Sequence, residues 1–476
     1  MSRAKNLISN TLILGAGTFA SKIIVLLMTP IYTMLLSPAE FGIADLVAQT
    51  SNMLIPLACV GICEGLFRFT LDCEDKRSVF SSGIFTLLLG SAVMFALLPL
   101  LSFFDMFDGY ILLIGAYVTC ANLHSACAQY VMAQGRVTLF AVQGIANTAL
   151  TVVLNILFLM VFDLGAYGYV LSIVLGDLIV TTVIFFAAKL YRDISVRSIS
   201  KGMLSKMLRF SIPYIPTTML WLITSVSDRY IVKAMCGEAE TGLYAASYKI
   251  PTLLTLVCGV FIEAWRFSAV KDADGEERGG FFGGVYRYYL SVIFLAASVL
   301  VAGSKIFTRI LLADAYFDSW RFVPILVLAT VFSTLVSFLG SVYFVEKKSV
   351  FSMLTALVGA FINIVLNFIM IPDHGAMGAA VATLISYVAV YTVRAIDTKR
   401  FIAFDLKMPK LFANMMLLLF QISILYVGFE YSALLQVACL AVMLLINAKA
   451  IFEIVCKLFK VAFKILKRND KNLQKK

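Results

Sequence analysis

Apolar stretches long enough to cross a bilayer as helices, about 20 residues each, recur from one end of this chain to the other. Short polar or basic segments separate them. The pattern predicts fourteen spans, at residues 8–36, 41–66, 79–104, 109–134, 138–162, 166–190, 207–235, 241–268, 284–303, 320–344, 349–371, 376–396, 411–429 and 432–450. The expected fold class is an all-α polytopic membrane protein, with two pseudo-symmetric six-helix bundles and two further helices.

The two bundles are read from an internal repeat. Ala39-Glu40-Phe41-Gly42 returns as Ala239-Glu240-Thr241-Gly242, each between the first and second span of its half. Val153-Leu154-Asn155 followed by Gly165-Ala166-x-Gly168 returns as Val365-Leu366-Asn367 followed by Gly375-Ala376-x-Gly378. Six spans per copy is an even number, so both copies share one orientation and are related about the membrane normal. The expected organisation is a bundle at 1–200, a bundle at 201–400, two helices at 401–450 and a basic amphipathic cytoplasmic tail at 451–476. In that tail Lys457, Lys460, Lys464, Lys467 and Arg468 interleave with apolar residues at helical spacing, which suits the inner leaflet surface or a plain positive anchor.

Composition then removes the water-soluble classes, since 61% of 476 residues are hydrophobic and 14% charged. The net charge of +11 reads as topology rather than a nucleic-acid footprint. With a cytoplasmic N-terminus, the inner segments hold Arg136, Arg192, Arg197, Lys201, Lys206, Lys348, Lys399, Arg400, Lys407 and Lys410, among others, while the outer ones hold only Lys233, Lys305, Arg309 and Arg321. That bias places both termini in the cytoplasm. Met1 leads directly into the first span, so no removable signal peptide is expected. The nine cysteines form no C-x-x-C pair, and neither a disulfide framework nor a zinc site is expected. Gly15-Ala16-Gly17-x-x-Ala20 imitates a dinucleotide fingerprint but sits inside a span, and no Walker loop or nucleophile elbow occurs. No enzyme activity, catalytic residue, metal or cofactor is expected.

What remains is a small set of charges inside the spans, where a charge is costly unless paired or facing water. Asp228-Arg229 lies late in the seventh span and Lys249 early in the eighth, about 9 and 12 Å below one membrane face by helical rise. An Asp228–Lys249 ion pair would be purely structural; the surplus base suits a passing anion. Lys22 lies near the middle of the first span, too deep to snorkel. Glu64 and Arg68 are one turn apart and suit an ordinary ion pair. Asp45 lies about a turn inside the outer face and reads as hydrated. Asp177, central in the sixth span, is either a proton- or sodium-coupling site or a protonated, hydrogen-bonded acid. His124 reads as a satisfied core histidine. Asn155, Asn363 and Asn367 suit interhelical hydrogen bonds, with small-residue packing around Gly144 and Gly359.

Asp228-Arg229 followed by Gly242-x-Tyr244-x-x-x-x-Lys249 resembles the polysaccharide flippases for O-antigen and capsule repeat units, within the multidrug/oligosaccharidyl-lipid/polysaccharide exporter superfamily. Asn10-Thr11, Leu36-Ser37-Pro38-Ala39-Glu40-Phe41-Gly42 and Arg68-Phe69 extend the resemblance over most of the chain. It implies an alternating-access flippase of a bacterial cytoplasmic membrane, moving an undecaprenyl-pyrophosphate-linked oligosaccharide from inner to outer leaflet. It also implies that Lys22, Arg229, Lys249 and Arg68 line an anion-binding cavity. The expected partners are the lipid-linked oligosaccharide and membrane lipids, with a polysaccharide polymerase and glycosyltransferases alongside, and no nucleic acid. Two rivals use the same architecture: a cation-coupled drug or metabolite exporter, which would want acids around its cargo, and a peptidoglycan-precursor flippase. A membrane glycosyltransferase would need catalytic carboxylates or a large outer loop, and no outer loop exceeds the stretch from Ser304 to Trp320.

Overall fold

The computed structural model describes residues 20–103, 107, 109–212, 214–271, 278–346, 348–428 and 430–473, and among these it contains helices and no strands. The order is α1 (Ala20–Leu35), α2 (Pro38–Ala58), α3 (Ile62–Asp72), α4 (Lys76–Leu97), α5 (Ile111–Ala133), α6 (Val137–Ile156), α7 (Gly165–Ala187), α8 (Lys201–Ser211) and α9 (Tyr214–Cys236). There follow α10 (Glu238–Ser247), α11 (Lys249–Lys271), α12 (Arg278–Ala302), α13 (Ser304–Leu311), α14 (Val323–Val345), α15 (Ser349–Asp397), α16 (Met408–Val427) and α17 (Ser432–Leu473). Over the described residues, helix occupies each expected span. Nine described helices are long and apolar enough to cross a membrane alone, and α2 with α3, bent by 53° at Cys59–Gly61, makes a tenth. The helices bearing Asp228-Arg229 and Lys249 are not among them.

Two boundaries differ from the sequence pattern. The stretch expected as one span from 207 is two helices, the short amphipathic α8 and then α9. Pro213 stands between them, and a proline cannot continue a helical hydrogen-bond ladder. The expected eleventh and twelfth spans run on as α15, but Gly375 adopts φ 58°, ψ −146° and divides it where the outer turn was expected. Only glycine adopts that backbone without strain. Helix starts follow their capping chemistry: Ser37 and Glu40 form a capping box ahead of α2, with Pro38 in the first turn, and Asp75 accepts from the Ser78 amide at α4.

Contacts divide the chain into two compact units, residues 1–249 with 309–318 and 363–379, and residues 250–308 with 319–362 and 380–476. In the first unit, Met28, Tyr32 and Leu36 of α1 pack with Phe41, Ala245, Ala246, Leu312 and Tyr316. The buried Tyr316 hydroxyl donates to the Leu36 carbonyl at 2.8 Å, and the Ala313 amide donates to Thr33 Oγ1 at 3.0 Å. The repeated motifs meet within this unit. A Cβ on Gly42 would stand 2.7 Å from the Glu238 carbonyl oxygen and 2.8 Å from the Gly242 nitrogen, and one on Gly242 would run into the Pro38 carbonyl. Glycine at both positions lets α2 and α10 touch backbone to backbone. The motif acids repeat as well: Glu40 Oε1 lies beside Gly165, and Glu240 Oε1 beside Gly375.

In the second unit, α12, α16 and α17 are tied to one another by polar contacts. Ser298 donates to Gln421 Oε1 at 2.8 Å, Gln436 to the Gln421 carbonyl at 2.8 Å, and Arg287 pairs with Glu453 at 2.6 Å. Asn414 and Asn447 bond each other, with Asn447 Nδ2 3.0 Å from Asn414 Oδ1. Arg394 of α15, 1% exposed, donates to the Val336 carbonyl, Thr355 Oγ1 and the Ser352 carbonyl, and its guanidinium lies 5.5 Å from the Tyr343 ring centroid. It is a cation that the span pattern did not single out. Gly359 packs close to Val390, as expected, whereas a Cβ on Gly144 would meet no heavy atom of the described residues within 4 Å. Beside Gly144, Ser21 Oγ donates to its carbonyl at 3.3 Å. Asn10-Thr11, Gly15-Ala16-Gly17 and the side chains of the basic tail lie outside the described residues.

Candidate anion site of the first unit

The stretch from Asp228 to Lys249 is built on α2, α9, α10 and the start of α11. Asp228 is fully buried (0% exposed). A buried carboxylate needs donors, and three surround it. The Tyr244 hydroxyl donates to Oδ2 at 2.6 Å, the Tyr248 hydroxyl to Oδ2 at 2.9 Å, and the Arg229 amide to Oδ1 at 2.9 Å. The two tyrosines are one helical turn apart on one face, with their hydroxyls 3.2 Å apart. The Asp228–Lys249 ion pair expected as the structural alternative is not how the acid is held. Tyrosines hold it.

Arg229 takes a different acid. Its Nε lies 3.2 Å from Asp45 Oδ2 on α2, and its guanidinium carbon lies 4.7 Å from the Tyr248 ring centroid. The residue is 7% exposed. Asp45, expected as a hydrated acid near the outer face, is instead the partner of this arginine. Neither of the two facing atoms has hydrogen-bond alignment within the described residues, so the contact is an ion pair without a directed bond. Tyr230 adds a neutral link between the same helices, its hydroxyl 2.8 Å from Thr50 Oγ1.

Lys249 is the base of this cluster whose charge meets no acid. Its Nζ lies 5.5 Å from the ring centroid of Phe41, one turn before Asp45 on α2. It is half-buried, and among the described residues it forms no ion pair. The structure thus brings Arg229, Lys249, Asp45 and Asp228 into one neighbourhood. Lys22 lies exposed on α1 and Arg68 exposed on α3, and neither shares a described contact with that cluster. Glu64, one turn before Arg68, is exposed too.

A second polar centre lies in the same unit. Asp177 of α7 accepts from Asn147 Nδ2 of α6 at 2.8 Å and stands 3.3 Å from His124 Nδ1 of α5. The other ring nitrogen of His124 meets Gln143 Oε1 at 2.6 Å. Asp177, partnerless by sequence neighbourhood, has partners on two other helices, and the core histidine is one of them. The asparagines bridge helices as expected: Asn155 donates to the Tyr32 hydroxyl at 3.4 Å, while Asn363 Oδ1 accepts from Ser227 at 2.9 Å and from Asn367 at 3.1 Å. Sequence reasoning missed Asp45, Phe41, the two tyrosines and His124 as site members. The Tyr244-x-x-x-Tyr248 spacing was the one available signal, since it put two hydroxyls on one helical face.

Comparison with known proteins follows from this geometry. A family model described as polysaccharide biosynthesis protein matches residues 7–265, more than half of the chain. No curated protein matches it by sequence. Among solved structures, an inward-closed conformation of the lipid II flippase MurJ superposes with TM-score 0.72 at 13% identity, covering 94% of this chain and 100% of that one. An inward-facing multidrug-resistance MATE-family transporter of the MOP superfamily gives TM-score 0.65 at 14% identity, over 81% of this chain and 94% of that one. A MOP-superfamily transporter from Pyrococcus furiosus gives 0.59 at 16%, over 82% and 95%. At these identities the likeness is one of fold.

Proposed function

The chain belongs to the polysaccharide biosynthesis protein family, and from that membership we propose that it is a flippase for a lipid-linked oligosaccharide, with an anionic pyrophosphate as the handle. It is a multi-pass membrane protein with the fold of the MurJ and MATE transporters. The observation that carries the reading is Lys249: a half-buried base beside an aromatic ring, with no acid paired to it among the described residues. An exporter of cations would place an unpaired acid there, whereas Asp228 and Asp45 are both engaged. The neighbour named as a lipid II flippase supports a lipid-borne cargo, and the sugar is left to experiment. In this reading Lys249 attracts the phosphate and Arg229 joins it when its undirected contact with Asp45 loosens. Lys22 and Arg68, both exposed, serve the same anion elsewhere along its path. The lipid tail stays in the bilayer while alternating access carries the head group from the inner to the outer leaflet of a bacterial cytoplasmic membrane, with both termini cytoplasmic.

The test is flipping of a fluorescent undecaprenyl-pyrophosphate oligosaccharide in proteoliposomes. Lys249→Gln is expected to slow flipping by about tenfold or more, the scale of one lost charge-assisted contact, and Lys249→Arg to retain it. Lys22→Gln is expected to fall with Lys249→Gln. If Lys249→Gln folds and flips at the parental rate, the anion site is elsewhere and this reading is overturned.

A further inference from the structure

The His124–Asp177 centre plays no part in the anion site, and its proton bookkeeping is unusual. Gln143 presents its oxygen to one imidazole nitrogen at 2.6 Å, so that nitrogen, Nε2, carries a hydrogen and donates it. In a neutral imidazole the other nitrogen, Nδ1, then holds a lone pair. That lone pair lies 3.3 Å from Asp177 Oδ1, without hydrogen-bond alignment to it. A lone pair facing an ionised carboxylate is repulsive. The arrangement becomes attractive on adding one proton, giving either imidazolium with carboxylate or imidazole with carboxylic acid. Asn147 donates to the same Oδ1 at 2.8 Å, which orients the carboxylate in both states.

From this geometry we propose that His124 and Asp177 together bind one transport-coupled proton, taken from water on one side of the membrane and returned on the other. The inference rests on the transport reading only for the coupling; proton binding itself stands without it. The carboxylate oxygen nearest the ring is flanked by an amide N–H and an imidazole rather than by further oxygens, a surrounding that suits a proton better than an oxygen-seeking sodium ion. The charged and titratable groups around the pair are few. On α5 the nearby titratable groups are Tyr117 and Cys120, while α6 contributes no titratable side chain. On α3, Cys63 donates to the Asn122 carbonyl and Glu64 is exposed. On α2, Asp45 is paired with Arg229. On α1, Lys22 is exposed and adjoins Ser21, which donates to the carbonyl of Gly144, the residue after Gln143. That last contact joins the helix of a proposed cargo base to the helix that orients His124. It is a direct route by which loading the pair could alter the cargo path.

The chain has two histidines, His124 and the exposed His374, so His374→Gln isolates His124 in a histidine-labelled sample. Imidazole nitrogen shifts of the full chain in nanodiscs, followed against pH with carboxyl infrared bands, are expected to show one proton shared by His124 and Asp177 and independent of sodium. In Asp177→Asn the shared step is expected to vanish, and Asp177→Glu should retain it; if Asp177→Asn does not fold, the His374→Gln titration alone decides. A His124 that titrates as an isolated imidazole, unchanged by Asp177→Asn, overturns the proposal. The coupling is read separately, as the change in flipping rate under an imposed pH gradient, which Asp177→Asn should lose. A proton-binding pair in a protein whose flipping ignores the gradient removes the coupling, and a protein that flips no lipid-linked sugar at all removes the flippase reading but leaves the shared proton in place.

Discussion

Arg229 shows how a residue's meaning depends on partners that sequence distance hides. Next to Asp228 in the chain, it looks like half of a local charge pair, yet its carboxylate comes from Asp45, on another helix. Breaking a buried pair by removing one member leaves the other charge uncompensated and costs about 3–5 kcal/mol. Asp45→Asn and Arg229→Gln are therefore each expected to lower the detergent-solubilised thermal midpoint clearly. The double variant should lose less than the sum of the two, because neither charge is then left alone. Strict additivity in that cycle would mean that the 3.2 Å contact carries no energetic coupling. The intramembrane charges were legible as individuals, because charge inside an apolar span is conspicuous. Their pairings were not, because a span of about 20 residues fixes the depth of a side chain but not the direction it faces. Asp45 and His124 were both seen and both given bland roles for that reason.

At the scale of elements, the spans and their order were legible because hydrocarbon thickness imposes their length. A departure occurs where backbone chemistry overrides hydropathy, at Gly375 inside α15. The repeat was legible as two short motifs, but its physical content is the crossing of α2 and α10. There Gly42 and Gly242 face each other's backbones, a contact that no pattern within one helix can encode. A methyl group at Gly42 would stand 2.7 Å from a backbone carbonyl, and overpacking of this kind costs roughly 1–3 kcal/mol. Gly42→Ala should accordingly lower the thermal midpoint by several degrees. Gly284→Ala in α12, where a Cβ would meet no heavy atom of the described residues within 4 Å, should be neutral or slightly stabilising, as loss of glycine freedom predicts. Equal tolerance of the two changes would show that the α2–α10 crossing can relax apart at no cost.

At the scale of the whole molecule, the charge bias and the contact map can be tested against each other. The positive-inside rule puts the connections near residues 163, 237–240, 309–318 and 371–375 on the outer face. The first compact unit contains all four, although three of them belong to the second half of the repeat. Such a grouping is expected if outer connections of both halves converge, and it is carried by specific contacts: Tyr316 on Leu36, Ala313 on Thr33, and Glu240 beside Gly375. A chain threaded with one span too few would separate them onto opposite faces. Single cysteines at the exposed positions Asp163 and His374 should therefore react with an impermeant maleimide on intact cells, in a background lacking reactive native thiols. Cysteines at the exposed Lys201 and Lys348 should react only after permeabilisation. Labelling of Lys201 and His374 from the same side would invert one half of the repeat relative to the other. The six-span duplication would then be wrong, and with it the argument that Asp228, Arg229 and Lys249 approach the membrane from the outer face.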